Sequence, residues 1–299
     1  MPSQQFEALI QVLKSRPRLA DFSIPEQRVM FEEITSQFPL AEGTLCEPLR
    51  VGGLNAEWIA APGASEDRVV YYLHGGGYAI GSVSTHRALV SRLSSAAGAR
   101  FLVIDYRLAP ENPFPAAVED AVTGYRWLLS TGIEANRVVI AGDSGGGGLT
   151  MATLIDLHDA GDALPAAAVC MSPWVDLTCA GGSLDSLAEQ DLVVTKQWLQ
   201  MLAAAYLAGA DARTPLASPL FADLRGLPPI LLQVGSAEIL LGEVTTLAER
   251  AEAAGVPVTL DVWEDMFHFW QAFASVLPEG QQAIDRAGEF MRQHTPGAR

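Results

Sequence analysis

Two textures of hydrophobic and polar positions alternate along most of this chain. Short β-rich runs recur at Asn55 to Ala60, Val69 to Leu73, Phe101 to Ile104, Val138 to Ala141, Ala167 to Met171, Ile230 to Val234 and Val258 to Val262. Several are apolar at consecutive positions, as strands covered on both faces must be. Helical periodicity fills many of the gaps, over Arg87 to Ala97, Pro115 to Ser130, Leu149 to Ala160 and Leu241 to Ala254. Such alternation predicts an α/β fold, with a mostly parallel central sheet flanked by helices. Ahead of it lie two helical patterns. Phe6, Leu9, Ile10 and Leu13 form one apolar stripe, and Val29 and Ile34 a weaker one with Pro25 near its start.

One segment interrupts the alternation. From Asp176 to Gly226 there is no strand pattern, but Trp198, Leu199, Leu202 and Tyr206 mark a helix over Lys196 to Leu207. A long insertion between sheet strands is usually a lid or a cap; a decorative surface excursion is the alternative, and this apolar content favours a face that packs on something. This sets the insertion, residues 176–226, apart from a core of residues 46–175 and 227–299. There is no internal repeat. At 299 residues the chain can bury a large core without disulfides or metals.

Charge narrows the partners. With 19 basic and 35 acidic residues, the net charge is −16. Nucleic acid and anionic membrane surfaces are therefore not expected partners. Cys46, Cys170 and Cys179 are odd in number and form no Cys-x-x-Cys pair, so neither a disulfide framework nor a zinc ribbon is indicated. The N-terminus lacks the pattern of a secretory signal, and no apolar run is long enough for a membrane span, so a soluble cytoplasmic protein is expected.

The chemistry concentrates in a few places. Gly142-Asp143-Ser144-Gly145-Gly146 follows the run Val138 to Ala141 and precedes a helical pattern. A serine on a sharp strand-to-helix turn projects its hydroxyl above the sheet, with a helix N-terminus beside it. Glycines at 145 to 148 imply close backbone approach by a neighbour or a ligand. Phosphate binding is the rival reading. However, Gly148-Leu149-Thr150 lacks the P-loop lysine, and Thr150 stands where a dinucleotide fingerprint starting at Gly145 needs glycine. A second motif, His74-Gly75-Gly76-Gly77, follows the run Val69 to Leu73. Glycines there free backbone N–H groups to converge on one oxygen, as an oxyanion hole requires. His74 precedes the serine and reads as a loop-organising residue.

Hydrolases with this nucleophile turn take their partners in the order serine, acid, histidine. Downstream of Ser144 the histidines are His158, His268 and His294. His158 falls within the helix after Ser144, and His294 lies in the polar tail. His268, just past the last strand, is the expected base. The loop after Ile230 to Val234 carries Glu238 as its only carboxylate before the next helix. Glu243, Glu264 and Asp265 compete with it but read as solvated face residues.

Together with Asp105-Tyr106-Arg107-Leu108-Ala109-Pro110-Glu111 and Ser172-Pro173-Trp174-Val175-Asp176, these motifs resemble the hormone-sensitive-lipase-like esterases, bacterial lipolytic family IV. The resemblance covers nearly the whole chain and implies a helical cap made of residues 1–45 and 176–226 over a core of residues 46–175 and 227–299. It implies an α/β-hydrolase fold and cofactor-free hydrolysis of carboxylic esters, usually with short acyl chains. By motif, Ser144 is the nucleophile and His268 the base, with Gly76, Gly77 and Gly145 supplying the oxyanion N–H groups. Two departures stand out: Gly145 replaces the usual alanine, and Glu238 replaces the usual aspartate. No His, Asp and Glu cluster has metal-ligand spacing. The family includes a hormone receptor that has lost its histidine, so a binding protein is the rival class, and an amidase or peptidase is a second rival. The last strand, preceded by Pro257, is suited to a sheet edge and to pairing with a second copy.

Overall fold

A computed structural model describes residues 3–295. Eight strands form one sheet: β1 (Leu45–Val51), β2 (Leu54–Ala60), β3 (Ser65–Leu73), β4 (Ala99–Ile104), β5 (Val138–Asp143), β6 (Ala167–Met171), β7 (Ile230–Gly235) and β8 (Val258–Trp263). Their spatial order is β1-β2-β4-β3-β5-β6-β7-β8. The β1/β2 and β2/β4 pairs are antiparallel, and every later pair is parallel. Seven strands coincide with the apolar runs of the sequence. β1 was not expected: Glu47, Pro48 and Arg50 break its pattern, and as an edge strand it is mostly exposed.

Both faces of the sheet are covered because alternate residues of each central strand point opposite ways. On one face Tyr71, Leu73, Ile140 and Leu232 join the helices α4 (Ala116–Ser130), α5 (Ser144–Ala160) and α8 (Leu241–Ala253). On the other, Tyr72, Val139, Ala141 and Leu231 meet α3 (Val83–Ala97) and α9 (Pro278–His294). Each of the buried leucines, isoleucines and valines among them contributes roughly 1.5–3 kcal/mol of hydrophobic stabilisation. α9 was not expected from the sequence. Pro278 starts it, and Ile284, Ala287, Phe290 and Met291 form its buried stripe. His294 is therefore the last residue of a packed helix, with Nδ1 2.9 Å from the Phe290 carbonyl, and not part of a polar tail.

The remaining helices are α1 (Gln4–Ser15), α2 (Ile24–Thr35), the single turn α6 (Ser183–Ser186) and α7 (Lys196–Leu207). α7 packs on the core through stacked rings, with Tyr78 and Tyr206 4.0 Å apart at 7°. Trp198 Nε1 of α7 donates to Gln27 Oε1 of α2 at 3.0 Å, joining the two expected cap segments directly.

Candidate active site

No residue separates β5 from α5, so the chain must reverse within the peptide units around Ser144. Ser144 takes the left-handed conformation, φ 51°, which costs an L-residue of this kind about 1–3 kcal/mol and is held only by its surroundings. The glycines that follow explain how the turn fits. A Cβ at Gly146 would stand 2.1 Å from the Leu73 carbonyl oxygen, and one at Gly148 the same distance from that of Trp174. The glycine run thus admits neighbouring backbone, and protein fills the space a phosphate would need.

The structure brings Ser144, His268 and Glu238 together. His268 Nε2 lies 3.0 Å from Ser144 Oγ, and His268 Nδ1 lies 3.1 Å from Glu238 Oε2. Both partners of the serine are buried. The other carboxylate oxygen, Glu238 Oε1, accepts from Gly235 N–H and from the Ser172 hydroxyl, each at 2.7 Å. Burial pushes the Glu238 carboxyl up from its ordinary value, against the pull of His268 and Ser172. For His268, burial opposes the charge, yet the hydrogen bond and negative charge of Glu238 prevail and hold its pKa above 6.5.

Around the glycine loop the geometry is equally specific. A Cβ at Gly145 would fall 2.9 Å from Gly77 N, so the two backbones touch beside Ser144. Gly76 and Gly77 have φ values of 114° and 57°, which glycine reaches without penalty. Asp143 anchors this loop from below, accepting from Gly75 N–H at 3.0 Å and from the Tyr72 hydroxyl at 2.7 Å. Burial would raise its pKa, but His86, Tyr72 and His74 together hold it below the ordinary value. His74 lies beneath the loop. Its ring stacks on Tyr106 at 4.2 Å, its Nδ1 is 2.9 Å from the Gly75 carbonyl, and burial takes its pKa down to about 3.

Several participants were not assigned by sequence reasoning. Ser172 lies within the quoted Ser-Pro-Trp motif, yet nothing local shows that its hydroxyl meets a carboxylate 66 positions away. Its Oγ also accepts from Phe269 N–H at 3.3 Å, so it braces the acid and the histidine loop together. His86, 3.3 Å from Asp143, falls just before the helical pattern that starts at Arg87 and carries no motif of its own. Glu243 corrects an expectation. It is buried and not solvated, because its carboxylate accepts from the N–H groups of Val175 and Asp176 at 2.7 and 3.3 Å. Glu264 and Asp265 are exposed, as expected. So is the side of α5 that carries His158.

Beside the triad, a cavity of about 290 Å³ runs from His268 and Phe269 outward between α1 and α2. Leu9, Leu13, Phe31, Phe38 and Phe273 make it largely apolar. The segment after β6 is tied to the acid loop by Asp191, whose carboxylate accepts from Ile239 N–H at 3.0 Å. Among the described residues, no group of three or more His, Cys, Asp and Glu side chains could hold a metal ion.

Residues 70–272 match the family described as the α/β-hydrolase fold. An acetyl-hydrolase of Streptomyces hygroscopicus is 44% identical over 99% of this chain and 98% of its own length. An esterase of Acinetobacter venetianus is 34% identical over 95% of this chain and 94% of its own. Among solved structures, an esterase from the bacterial hormone-sensitive lipase family superposes with a TM-score of 0.94 at 48% identity, covering 99% of both chains. A hormone-sensitive lipase from a metagenome library does so with a TM-score of 0.93 at 39% identity, again over 99% of both. The chain therefore belongs to the bacterial hormone-sensitive-lipase family of α/β-hydrolase-fold esterases.

Proposed function

We propose that the protein hydrolyses carboxylic esters of short to medium acyl chain through an acyl-enzyme on Ser144. The observation that carries this reading is the continuous relay from Ser144 Oγ through His268 to Glu238, at 3.0 and 3.1 Å. His268 takes the Ser144 proton as Oγ attacks the ester carbonyl. Backbone N–H groups of Gly76, Gly77 and Gly145 stabilise the oxyanion. The tetrahedral intermediate collapses, the alcohol leaves with the proton from His268, and water repeats the sequence to release the acid. Glu238 keeps the Nδ1 proton on His268 and stabilises the imidazolium. The scheme balances with water alone and uses neither metal nor cofactor.

Residues 1–45 and 176–226 act as the cap. Support comes from Leu202 of α7, whose Cδ1 would meet a Cβ at Gly77 at 2.5 Å, so the cap rests on the oxyanion loop itself. A confined site of this kind favours small esters. Three unpaired cysteines are consistent with a reducing, cytoplasmic setting. β8 ends the sheet with Val262 exposed, which suits pairing with a second copy. Substrate class is tested with p-nitrophenyl esters from acetate to palmitate. Chains of roughly four to eight carbons should give the highest kcat/KM. A value still rising at palmitate, with interfacial activation, would make the protein a lipase.

A further inference from the structure

The cavity beside His268 has a charged rim that the triad does not use. Among the described residues, its lining includes Arg16 and Arg18 but no carboxylate. Both lie in Lys14-Ser15-Arg16-Pro17-Arg18, where the chain leaves α1. Elsewhere in this molecule Arg28, Arg87, Arg107 and Arg126 are ion-paired. Among the described residues, neither the Arg16 nor the Arg18 guanidinium has a hydrogen-bond or ion-pair partner. The Asp21 carboxylate accepts from the backbone N–H of Arg18 at 3.0 Å, leaving that guanidinium unengaged. In a chain whose 35 acidic residues outnumber its 19 basic ones, two unpaired guanidiniums on one cavity form a local positive site.

Their position suits a substrate end group. His268 is buried and marks the inner end of the cavity, while Arg16 is exposed and Arg18 half-buried at the outer end. The wall between is apolar. Ser144, Gly76 and Gly77 do not line this cavity, whereas His268, which must protonate the leaving oxygen, does. The space therefore receives the alcohol portion of an ester and not its acyl chain.

We propose that the preferred substrates are esters whose alcohol portion ends in a carboxylate, with a hydrocarbon spacer along the apolar wall and the anion on Arg16 and Arg18. A planar guanidinium pairs with a carboxylate through two parallel hydrogen bonds, which gives this end group geometric as well as charge selectivity. The proposal rests on acyl transfer at Ser144. The reaction stays balanced, as ester and water give a free acid and an ω-hydroxycarboxylate.

The test compares acetates of ω-hydroxycarboxylic acids with acetates of the matching ω-hydroxycarboxamides, with acetate release followed in a pH-stat at low salt. One chain length should show roughly a two- to fivefold higher kcat/KM for the acid than for the amide, the size of effect that exposed ion pairs give. This ratio should fall toward one at high ionic strength and in the R16Q/R18Q double variant, and fall below one in R16E/R18E. A ratio near one in the unaltered enzyme at every chain length overturns the proposal, as does a preference that survives R16Q/R18Q. A charge effect seen only with vesicles of anionic phospholipid also overturns it, and would make the rim a membrane contact. The amide substrates keep the two readings separable: if the unaltered enzyme cleaves them and Ser144→Ala does not, the acyl-enzyme reading stands whatever the ratio.

Discussion

Replacing Glu238 by glutamine keeps the shape of the side chain and changes only what it can accept. The carboxylate now meets three donors: Gly235 N–H on Oε1, the Ser172 hydroxyl on the same oxygen, and His268 Nδ1 on Oε2. An amide offers one oxygen and one NH₂ group. Turning the NH₂ toward Gly235 would set two donors against each other in a buried site, at a cost of about 1–3 kcal/mol. The amide oxygen therefore stays on Gly235 and Ser172, and the NH₂ faces His268 Nδ1. His268 must then accept at Nδ1 and carry its proton on Nε2, pointing at Ser144 Oγ, where a base is needed. Folding stability should change little, while the neutral catalytic tautomer is removed. In serine hydrolases this tautomer error lowers turnover by up to about four orders of magnitude, and a loss of at least about a hundredfold is expected here. The pH profile carries a second signature. Glu238 holds the His268 pKa above its ordinary value, and activity through this relay requires neutral His268, so activity should rise as pH increases through that raised pKa. Without the negative charge, burial dominates and the residual activity should rise at lower pH. The assay is kcat for p-nitrophenyl butyrate against pH, with circular dichroism as the folding control and Asp265→Asn as the comparison. A loss below tenfold in Glu238→Gln, or a larger loss in Asp265→Asn, would refute the assignment of the acid.

Other expectations follow from the same contacts. Ser172→Ala removes a buried donor to Glu238 and the acceptor for Phe269 N–H, so unfolding should become easier by about 1–2 kcal/mol and kcat should fall about tenfold. Asp143→Ala removes the one oxygen, Oδ1, that accepts from both Gly75 N–H and the Tyr72 hydroxyl, and kcat should fall with little change in KM as the glycine loop loosens. In Val262→Lys a charge is placed on the exposed edge strand, and any dimer formed through β8 should dissociate in light-scattering chromatography, with ester hydrolysis retained.

The sheet was readable because its central strands are apolar without interruption, from Val69 to Leu73 and from Ala167 to Met171. β1 escaped because an exposed antiparallel edge needs no apolar run, and its Pro48 and two charges disguise it. α9 has a clear stripe at Ile284, Ala287 and Met291 and was legible in principle. Residues of the candidate site carried by local motifs, Ser144 and the Gly75 to Gly77 loop, stood out by spacing. Glu238 and His268, which the fold brings to Ser144, stood out by chain order. The braces did not: Ser172 meets Glu238, and Glu243 meets Val175 and Asp176, only after the sheet has brought β6 and β7 side by side. Contacts made through backbone N–H groups leave no mark on residue type, so a buried glutamate and a solvated one look alike in sequence.

Acyl transfer itself is tested most directly by trapping the intermediate. The protein is mixed rapidly with p-nitrophenyl butyrate, quenched in acid and digested, and the peptides are weighed. A butyryl group on the peptide containing Ser144 is expected, together with a burst of p-nitrophenolate of about one equivalent per chain if deacylation is the slower step. In Ser144→Ala both should vanish along with turnover. Undiminished turnover in Ser144→Ala, or a butyryl group on a different side chain in the unaltered protein, would contradict the account at its centre.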